Sequence, residues 1–192
     1  MKIYLASLSP RRQELLKLLG IKYQILTPQV SELPMDLTPA GYAQVLAKMK
    51  VESVSQQVPK GLIIGMDTIV VLGKKIMGKP KNRSAAREML SMLSGKTHRV
   101  ITGIYLLLRP EGNSISSYEM TRVKFRKLSG KEIEQYIKTK EPYDKAGAYA
   151  IQGQAGLFVE SINGCYFNVV GFPVAKFLKL FKKLIGDTPK NY

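Results

Sequence analysis

The chain is poor in the residues from which many metal and redox sites are built. Its 192 residues include one cysteine, Cys165, one histidine, His98, and no tryptophan. A lone cysteine cannot form an internal disulfide, and a lone histidine cannot build a histidine-rich metal site. Any metal bound by this chain must therefore be held by oxygen ligands.

Long apolar segments are also missing. No run of about eighteen apolar residues occurs, so the sequence predicts no membrane-spanning helix. The N-terminal "MKIYLAS" leads directly into polar "SPRR", without the longer apolar region and the small-residue cleavage site of a signal peptide. We therefore expect a cytoplasmic protein with no membrane partner.

Acidic residues are scarce. The chain has 14 Asp and Glu against 30 Lys and Arg, a formal net charge of +16. Such an excess attracts polyanions, whether nucleic acid, a membrane surface or a small polyphosphate, but does not choose among them. A generally basic proteome would explain the same balance. Because the basic residues are spread over every segment and no nucleic-acid-binding motif accompanies them, a nucleic-acid partner is not expected.

The pattern that is present alternates strand-like and helix-like segments, which predicts an α/β fold. No linker or composition shift divides the chain, so residues 1–192 are expected to form a single domain. Strands are predicted over 2–7, 21–28, 61–73, 97–108 and 114–128. Helices are predicted over 10–20, from 38 onward, over 83–95, from 129 onward and over 173–186. The glycine-rich stretch from 141 to 173 is predicted to be an irregular, functional loop region.

Two of the helices have predicted buried faces. In the helix after Thr38 the apolar stripe has Lys50 at its edge, and in the last helix the opposite face is basic. The predicted buried residues are Tyr42, Val45, Leu46 and Met49 in the first of these helices, and Val174, Phe177, Leu178, Phe181 and Ile185 in the second.

Asp67 is the most conspicuous misfit, because it interrupts the apolar run "GLIIGMDTIVVLG". A carboxylate inside a buried strand must be ion-paired, hydrogen-bonded, protonated or bound to a cation. The alternative is that the strand ends there, with Gly65 and Thr68 forming a bend that leaves Asp67 solvated. Glu32 follows the second predicted strand, and by itself it is equally compatible with a surface carboxylate.

The basic residues at the first predicted helix form a candidate anion site. Arg11 and Arg12 lie in its first turn, preceded by Ser7 and Ser9. Free backbone N–H groups, hydroxyls and guanidinium groups would together suit a phosphate. The alternative is that both arginines extend into water. Lys79 in "GKPKN" precedes a proline, which favours an extended backbone that could present its ammonium group into a cleft.

Three motifs, in this order, closely resemble the Maf family of nucleoside triphosphate pyrophosphatases over essentially the whole chain. They are "LASLSPRRQELL", "GMDTIVV" with "MGKP", and "KAGAYAIQGQAGLFVESINGCYFNVVGFP". The resemblance implies an α/β fold similar to inosine triphosphate pyrophosphatases, with an elongated mixed sheet flanked by helices and two lobes around a cleft. It also implies cleavage of a nucleoside triphosphate to the monophosphate and pyrophosphate, assisted by a divalent cation, Mg²⁺ or Mn²⁺.

The resemblance also implies roles for individual residues. Asp67 corresponds to the residue that accepts a proton, and Glu32 is the acidic residue after the second strand, although this chain has "VSE" where the family often has "VDE". Both carboxylates are candidate metal ligands, while Lys50 and Lys79 complete the catalytic set. The substrate-binding residues implied are Ser7, Ser9, Arg11, Arg12, Thr68, Lys145 and Gln152.

The motif "AIQG" resembles the group within this family that acts on dTTP and UTP. The Gln152 amide can both donate to and accept from a thymine or uracil edge. The alternative is that Gln152 only braces the glycine-rich loop. Removal of non-standard nucleotides is one role for such an activity. A basic regulatory protein linked to septum formation, or a nucleic-acid-binding module, remains an alternative without turnover, and association into a homodimer is left open.

Overall fold

The computed structural model describes residues 1–31 and 35–186, and these contain seven β-strands and six α-helices. The strands are β1 (Ile3–Ala6), β2 (Gln24–Leu26), β3 (Gly61–Leu72), β4 (Lys75–Met77), β5 (Thr97–Arg109), β6 (Ser114–Phe125) and β7 (Val159–Asn163). The helices are α1 (Pro10–Leu18), α2 (Pro39–Ser55), α3 (Arg83–Leu93), α4 (Gly130–Tyr136), α5 (Tyr166–Val170) and α6 (Val174–Ile185). Short 3-10 helices cover Glu141–Asp144, Ala146–Ala148 and Gln154–Phe158.

The strands form one mixed sheet in the order β2-β1-β3-β5-β6-β7, with β4 paired to β3. Strand β1 is parallel to both of its neighbours, with Leu5 opposite Ile25 on β2 and Ile64 on β3. The pairs β3–β4 and β6–β7 are antiparallel. The predicted α/β fold with a mixed sheet and flanking helices is thus confirmed.

The chain folds as two compact units. The first unit comprises Met1–Asp67, Thr102–Glu119 and Gly171–Tyr192, and the second comprises Thr68–Ile101 and Met120–Val170. Strands β3, β5 and β6 each contribute residues to both units. Within residues 1–31 and 35–186, no helix is both long enough and apolar enough to cross a membrane.

In the first unit, helix α2 begins where the sequence predicts but buries a different face. Thr38 caps it by accepting a hydrogen bond from the Gly41 backbone. Of the predicted buried residues only Leu46 is fully buried, and Tyr42, Val45 and Met49 are half-buried. The buried residues of α2 are Ala43, Leu46, Ala47, Val51, Val54 and Ser55.

Two glycines of the sheet explain this difference. A Cβ atom on Gly65 of β3 would lie 2.5 Å from the carbonyl oxygen of Ala47, and one on Gly103 of β5 would overlap the carbonyl group of Ala43. The α2 backbone therefore lies directly against the two strands at Ala43 and Ala47, where there is no space for a large side chain. The prediction from the apolar stripe was wrong because it assumed that the large apolar side chains of the helix face the core. It could not include this close approach of the helix backbone to the strands.

Two other predictions needed correction. In α6 the buried residues are Phe177, Leu180 and Phe181, whereas Val174, Leu178 and Ile185, which were predicted to be buried, are half-buried. The stretch 141–173 is not wholly irregular, because it contains β7 and α5. Strand β7 has no buried residue, so it lacks the apolar alternation by which strands are predicted.

The second unit has an aromatic core. Phe125 of β6 makes edge-on ring contacts with Tyr149 and Phe158, and Phe158 makes another with Tyr136 of α4. Helix α4 starts with the predicted capping box, in which Ser129 and Glu132 each bind the backbone of the other. This core supports the loops that carry the predicted binding residues Lys145 and Gln152.

Candidate active site

The start of α1 holds a buried arginine. The Arg12 Nε donates to the carbonyl oxygen of Gly171 at 2.9 Å, and its Nη1 donates to the Ser7 hydroxyl at 3.0 Å. Ser7 also accepts a hydrogen bond from the Ser9 backbone at 3.3 Å. Only 8% of Arg12 is exposed, and Arg11 is half-buried. The alternative in which both arginines extend into water is therefore wrong for Arg12.

Burial lowers the pKa of the Arg12 guanidinium to about 10, while the negative charge of Asp67 opposes this shift. Arg11 adds a smaller unfavourable contribution of like charge. The start of α1 and the middle of β3 therefore share one electrostatic environment. A bound anion would further offset the cost of keeping the Arg12 charge in this buried position.

Asp67 lies within β3 and is 6% exposed. Lys50 of α2 donates a hydrogen bond to its Oδ1 and forms an ion pair with it, with 18% of the lysine side chain and 8% of the aspartate side chain exposed. The strand does not end at this residue, so the interpretation of Asp67 as a solvated strand end is wrong. Ion pairing, the first of the predicted alternatives, is the one observed.

The glycine contact between α2 and β3 explains why these two residues meet. Asp67 lies two residues after Gly65 and therefore on the same face of the strand. Lys50 lies nearly one helical turn after Ala47, the residue whose carbonyl group contacts Gly65. Because the helix backbone is so close to the strand, the lysine side chain reaches the aspartate.

The second predicted carboxylate, Glu32, lies outside the described residues. Its pairing with Asp67 stays a prediction. Across 1–31 and 35–186, His, Cys, Asp and Glu side chains form no group of three or more that could hold a metal ion. The acidic part of the candidate site, as far as the structure describes it, is therefore a single buried carboxylate.

Four predicted residues, Thr68, Lys79, Lys145 and Gln152, belong to the second unit. Thr68 follows Asp67 in β3 and is half-buried, and Lys79 is exposed. The Gly147 backbone N–H donates to the Gly78 carbonyl oxygen at 3.0 Å, which links the Lys79 segment to the loop after Lys145.

A side chain at position 147 would disturb this link. Gly147 has a φ angle of +68°, and a Cβ atom there would lie 3.0 Å from Val70 of β3. The glycine therefore provides both the left-handed backbone and the space that this loop needs.

Lys145 and Gln152 lie in contrasting surroundings. The Lys145 ammonium donates to the Asp144 carboxylate at 2.5 Å and to the Glu141 carbonyl oxygen at 3.0 Å, and only 12% of its side chain is exposed. Gln152 is exposed. The substrate contacts predicted for both residues stay predictions.

Sequence reasoning missed two groups that organise these predicted residues. One is the Gly171 carbonyl group, which accepts from Arg12. The other is the carboxylate of Glu141, which accepts from the backbone of Gln154. Both contacts involve backbone atoms far away along the chain, so neither has a residue-type signature.

Comparison with known proteins adds to this geometry. The family model described as "Maf-like protein" matches residues 2–184. The chain belongs to the Maf family. A Maf relative from Carboxydothermus hydrogenoformans, named dTTP/UTP pyrophosphatase, is 48% identical over 92% of this chain and 95% of its own length. Another of that name from Desulforamulus reducens is 47% identical over 91% of this chain and 92% of its own.

A solved structure, the Ham1 protein of Staphylococcus aureus, matches 82% of this Maf chain and 91% of its own chain, with a TM-score of 0.50. Its sequence identity of 15% means that the match shows a shared fold and nothing more. The family model and the two curated relatives confirm the resemblance to the Maf family that the three motifs indicate.

Proposed function

We propose that this chain hydrolyses dTTP and UTP to the nucleoside monophosphate and pyrophosphate. The observation that carries the proposal is the buried ion pair of Asp67 and Lys50, with the Arg12 guanidinium close enough to interact with the same carboxylate. Membership of the Maf family and the curated relatives named for this activity support it. The same residues would be a costly way to build an ordinary core.

Asp67 is the proposed proton acceptor. Hydrolysis of a phosphoric anhydride needs a water molecule that becomes nucleophilic by losing a proton to a positioned base. The Lys50 ammonium compensates the negative charge of a carboxylate that burial would otherwise penalise. The ion pair with Lys50 also holds the Asp67 carboxylate in one place, where it is the group proposed to take that proton.

Arg11, Arg12, Ser7 and Ser9 form the proposed phosphate clamp. They surround the first turn of α1, where backbone N–H groups without helical partners favour an anion. The bonds from Arg12 to Gly171 and Ser7 hold its guanidinium in one orientation before substrate arrives. A group fixed in this way stabilises the charge of the leaving pyrophosphate without reorganising during the reaction. Lys79 is proposed as a further cation of this clamp.

Asp67 suits a divalent metal ion, because Mg²⁺ and Mn²⁺ prefer oxygen ligands and Mg²⁺ is commonly held by one or two carboxylates together with substrate phosphates. Asp67 and Glu32 are the residues that would hold it. When bound, the ion would stabilise negative charge on the phosphate oxygens. The assignment of Glu32 rests on the family motif alone.

Gln152 is the proposed reader of the base. A neutral amide offers one donor group and one acceptor, which matches the N–H and carbonyl groups at the edge of thymine or uracil. A 7-methylguanine base carries positive charge and would be better matched by a carboxylate. Thr68 and Arg11 are proposed to act with Gln152 in this selection.

The test is pyrophosphate release in the presence of Mg²⁺ or Mn²⁺, with kcat/KM measured for dTTP, UTP, CTP, dGTP and 7-methyl-GTP. We expect dTTP and UTP to be preferred. A clear preference for the methylated guanine nucleotide would contradict the assignment of the base. DNA binding without any pyrophosphate release would contradict the activity itself and favour a nucleic-acid-binding protein.

Asp67→Asn tests the proton acceptor. The amide cannot take a proton, so we expect kcat to fall on the order of a hundredfold or more while the protein stays folded. Glu111→Gln is the control, because it removes one exposed carboxylate charge from the turn between β5 and β6. Near-normal kcat in folded Asp67→Asn would refute the role of Asp67.

Lys79→Ala tests the phosphate clamp, with Lys81→Ala as its matched control because both lysines are exposed and lie two residues apart. We expect Lys79→Ala to weaken binding of a nucleoside triphosphate more than binding of the monophosphate, since the additional phosphates are what it contacts. Equal weakening of both, measured by calorimetric titration, would remove Lys79 from the clamp.

Two further predictions belong to this proposal. They are a single Maf-like domain over residues 1–192 and a cytoplasmic location. Association into a homodimer stays open, and light scattering of the purified protein distinguishes one chain from two.

A further inference from the structure

Gln152 lies in a tight turn of the second unit. The Gly153 backbone N–H donates to the carbonyl oxygen of Ala150 at 3.1 Å, so Gln152 is the third residue of a four-residue turn. The side chain of Gln152 is exposed. Its placement therefore depends on what holds the turn that carries it.

The Glu141 carboxylate binds the chain directly after Gln152. It accepts a hydrogen bond from the backbone of Gln154 at 3.0 Å and a longer one from Ala155 at 3.5 Å. A Cβ atom on Gly153 would overlap this carboxylate, so only a glycine lets Glu141 come so close to the last residue of the turn.

Tyr136 of α4 supports the Glu141 carboxylate. Its hydroxyl donates to Glu141 at 3.0 Å. Tyr136 is 3% exposed, and its ring packs edge-on against Phe158 at 5.1 Å. Burial, followed by the charge of Glu141, raises the pKa of Tyr136, so the hydroxyl stays protonated and remains a donor.

We propose that Glu141, supported by Tyr136, is a positioning residue that holds the turn 150–153 and so sets the base preference through Gln152. Glu141 binds the backbone two and three residues after Gln152, and Tyr136 holds the carboxylate that does so. Glu141 acts on the protein and not on the nucleotide. The inference rests on the role of Gln152 in the proposed function.

A carboxylate is the group that this position requires. It is an acceptor only, and three donors face it, from Tyr136, Gln154 and Ala155. A glutamine would replace one acceptor oxygen with an NH₂ group, which would face a donor. At least one bond to the turn would be lost, while the size of the side chain would hardly change.

Glu141→Gln is the first test, with Glu160→Gln as its matched control. Glu160 is an exposed carboxylate of the same unit, on β7, where it binds Lys124 at 2.6 Å. We measure kcat/KM for dTTP, UTP and CTP. The preference for dTTP over CTP should fall on the order of tenfold in Glu141→Gln, because a displaced contact group loses its orientation, and should be unchanged in Glu160→Gln.

The same substitution in a Gln152→Ala background separates positioning from a general structural role. If Glu141 acts through Gln152, Glu141→Gln should change the dTTP-to-CTP ratio no further once Gln152 is absent. Equal changes in the ratio in both backgrounds would overturn the proposal. So would an unchanged ratio in Glu141→Gln itself, provided that the wild-type enzyme prefers dTTP.

Amide hydrogen exchange gives a readout that does not depend on activity. The backbone N–H of Gln154 or that of Ala155 should exchange at least about tenfold faster in Glu141→Gln than in the wild type, since at least one of the two loses its acceptor. Unchanged rates at both would overturn the proposal. A wild-type enzyme with no preference for dTTP and UTP would instead refute the role of Gln152 in reading the base, and with it the role of Glu141. The wild-type measurement alone identifies this outcome.

Tyr136→Phe keeps the proposal testable if Glu141→Gln does not fold. It removes one hydroxyl and keeps the ring in the core. Tyr143→Phe is the control, because it also removes one tyrosine hydroxyl, which donates to the Ile137 carbonyl oxygen at 2.7 Å instead of to Glu141. The dTTP-to-CTP ratio should fall about threefold in Tyr136→Phe only. Equal ratios in the two variants would overturn the contribution of Tyr136.

Discussion

Asp67 and His98 are both buried in central strands of the sheet, yet the protein treats their charges in opposite ways. Asp67 on β3 has a cationic partner, Lys50, and interacts with Arg12. His98 on β5 is 1% exposed, makes edge-on contacts with Phe125 and Tyr149, and shares a 2.7 Å hydrogen bond between its Nε2 and the Tyr149 hydroxyl.

His98 is kept uncharged and, in the part of the chain that the structure describes, is not paired with an opposite charge. Its Nδ1 has no hydrogen-bond partner among the described residues, and burial lowers its pKa to about 4. The ring is therefore neutral at pH 7 and acts as a polar member of an aromatic core. The comparison teaches that burial of a titratable group does not by itself indicate a site. A buried charged group with opposite charges around it is a stronger indication of a functional site.

The largest expected effect comes from removing the partner of Asp67. Lys50→Met leaves a buried carboxylate with less compensation, so we expect kcat to fall on the order of a hundredfold and stability to fall by about 3 kcal/mol. The control is Lys48→Met, because Lys48 lies on the same helix but pairs with Glu52 at the surface. Steady-state kinetics and urea unfolding measure the two effects. Similar values for Lys50→Met and Lys48→Met would show that the ion pair with Asp67 is no more important than a surface ion pair.

The next effect concerns acid stability. The folded protein holds His98 with a pKa of about 4, below the ordinary value of 6.5, so the unfolded chain binds more protons between these two pH values. Stability is therefore lost as the pH falls from 6.5 towards 4, by about 3 kcal/mol in total. His98→Gln, which cannot titrate, should lack this loss.

Urea unfolding of the wild type and of His98→Gln at pH 7, 6, 5 and 4 measures the difference. The pKa of Glu132 is lowered to about 2, chiefly by its hydrogen bond from Arg126. Its contribution to the stability of the protein therefore also falls as the pH falls, but equally in both proteins. The two curves should converge as the pH falls. Parallel curves would mean that His98 is not kept neutral by the fold.

The smallest of the three effects concerns the close approach of α2 to β5 at Gly103. Gly103→Ala places a methyl group against the Ala43 backbone and should cost about 2 kcal/mol of unfolding free energy, because the helix must move away. Gly130→Ala is the matched control, since a Cβ atom at Gly130 meets nothing within 4 Å. Thermal unfolding tests this, and equal stability of the two variants would show that the close approach is not needed.

Much of this fold is predictable from local signals. The apolar runs of β1, β3 and β5, the N-cap at Thr38 and the capping box at Ser129 all depend on neighbouring residues, and all are present. The buried face of α2 is not predictable in this way. It depends on Gly65 and Gly103, which reach the helix only through the assembled sheet.

The candidate site divides in the same manner. The motifs indicate which residues matter, because Asp67 breaks an apolar run and Arg12 follows a helix-starting proline. The partners of these residues were not predicted. The Lys50–Asp67 pair depends on helix packing, and the acceptors of Arg12 and Gln154 are distant groups with no signal in the sequence.

The bond between Arg12 and Gly171 has a consequence for synthesis of the protein. Donor and acceptor lie 159 residues apart. On the ribosome, the first helix emerges early, but the carbonyl group that orients its buried arginine is made only near the end of translation. A nascent chain that stops before residue 171 therefore lacks that acceptor, and this part of the candidate phosphate clamp takes its final form only after most of the polypeptide has been made.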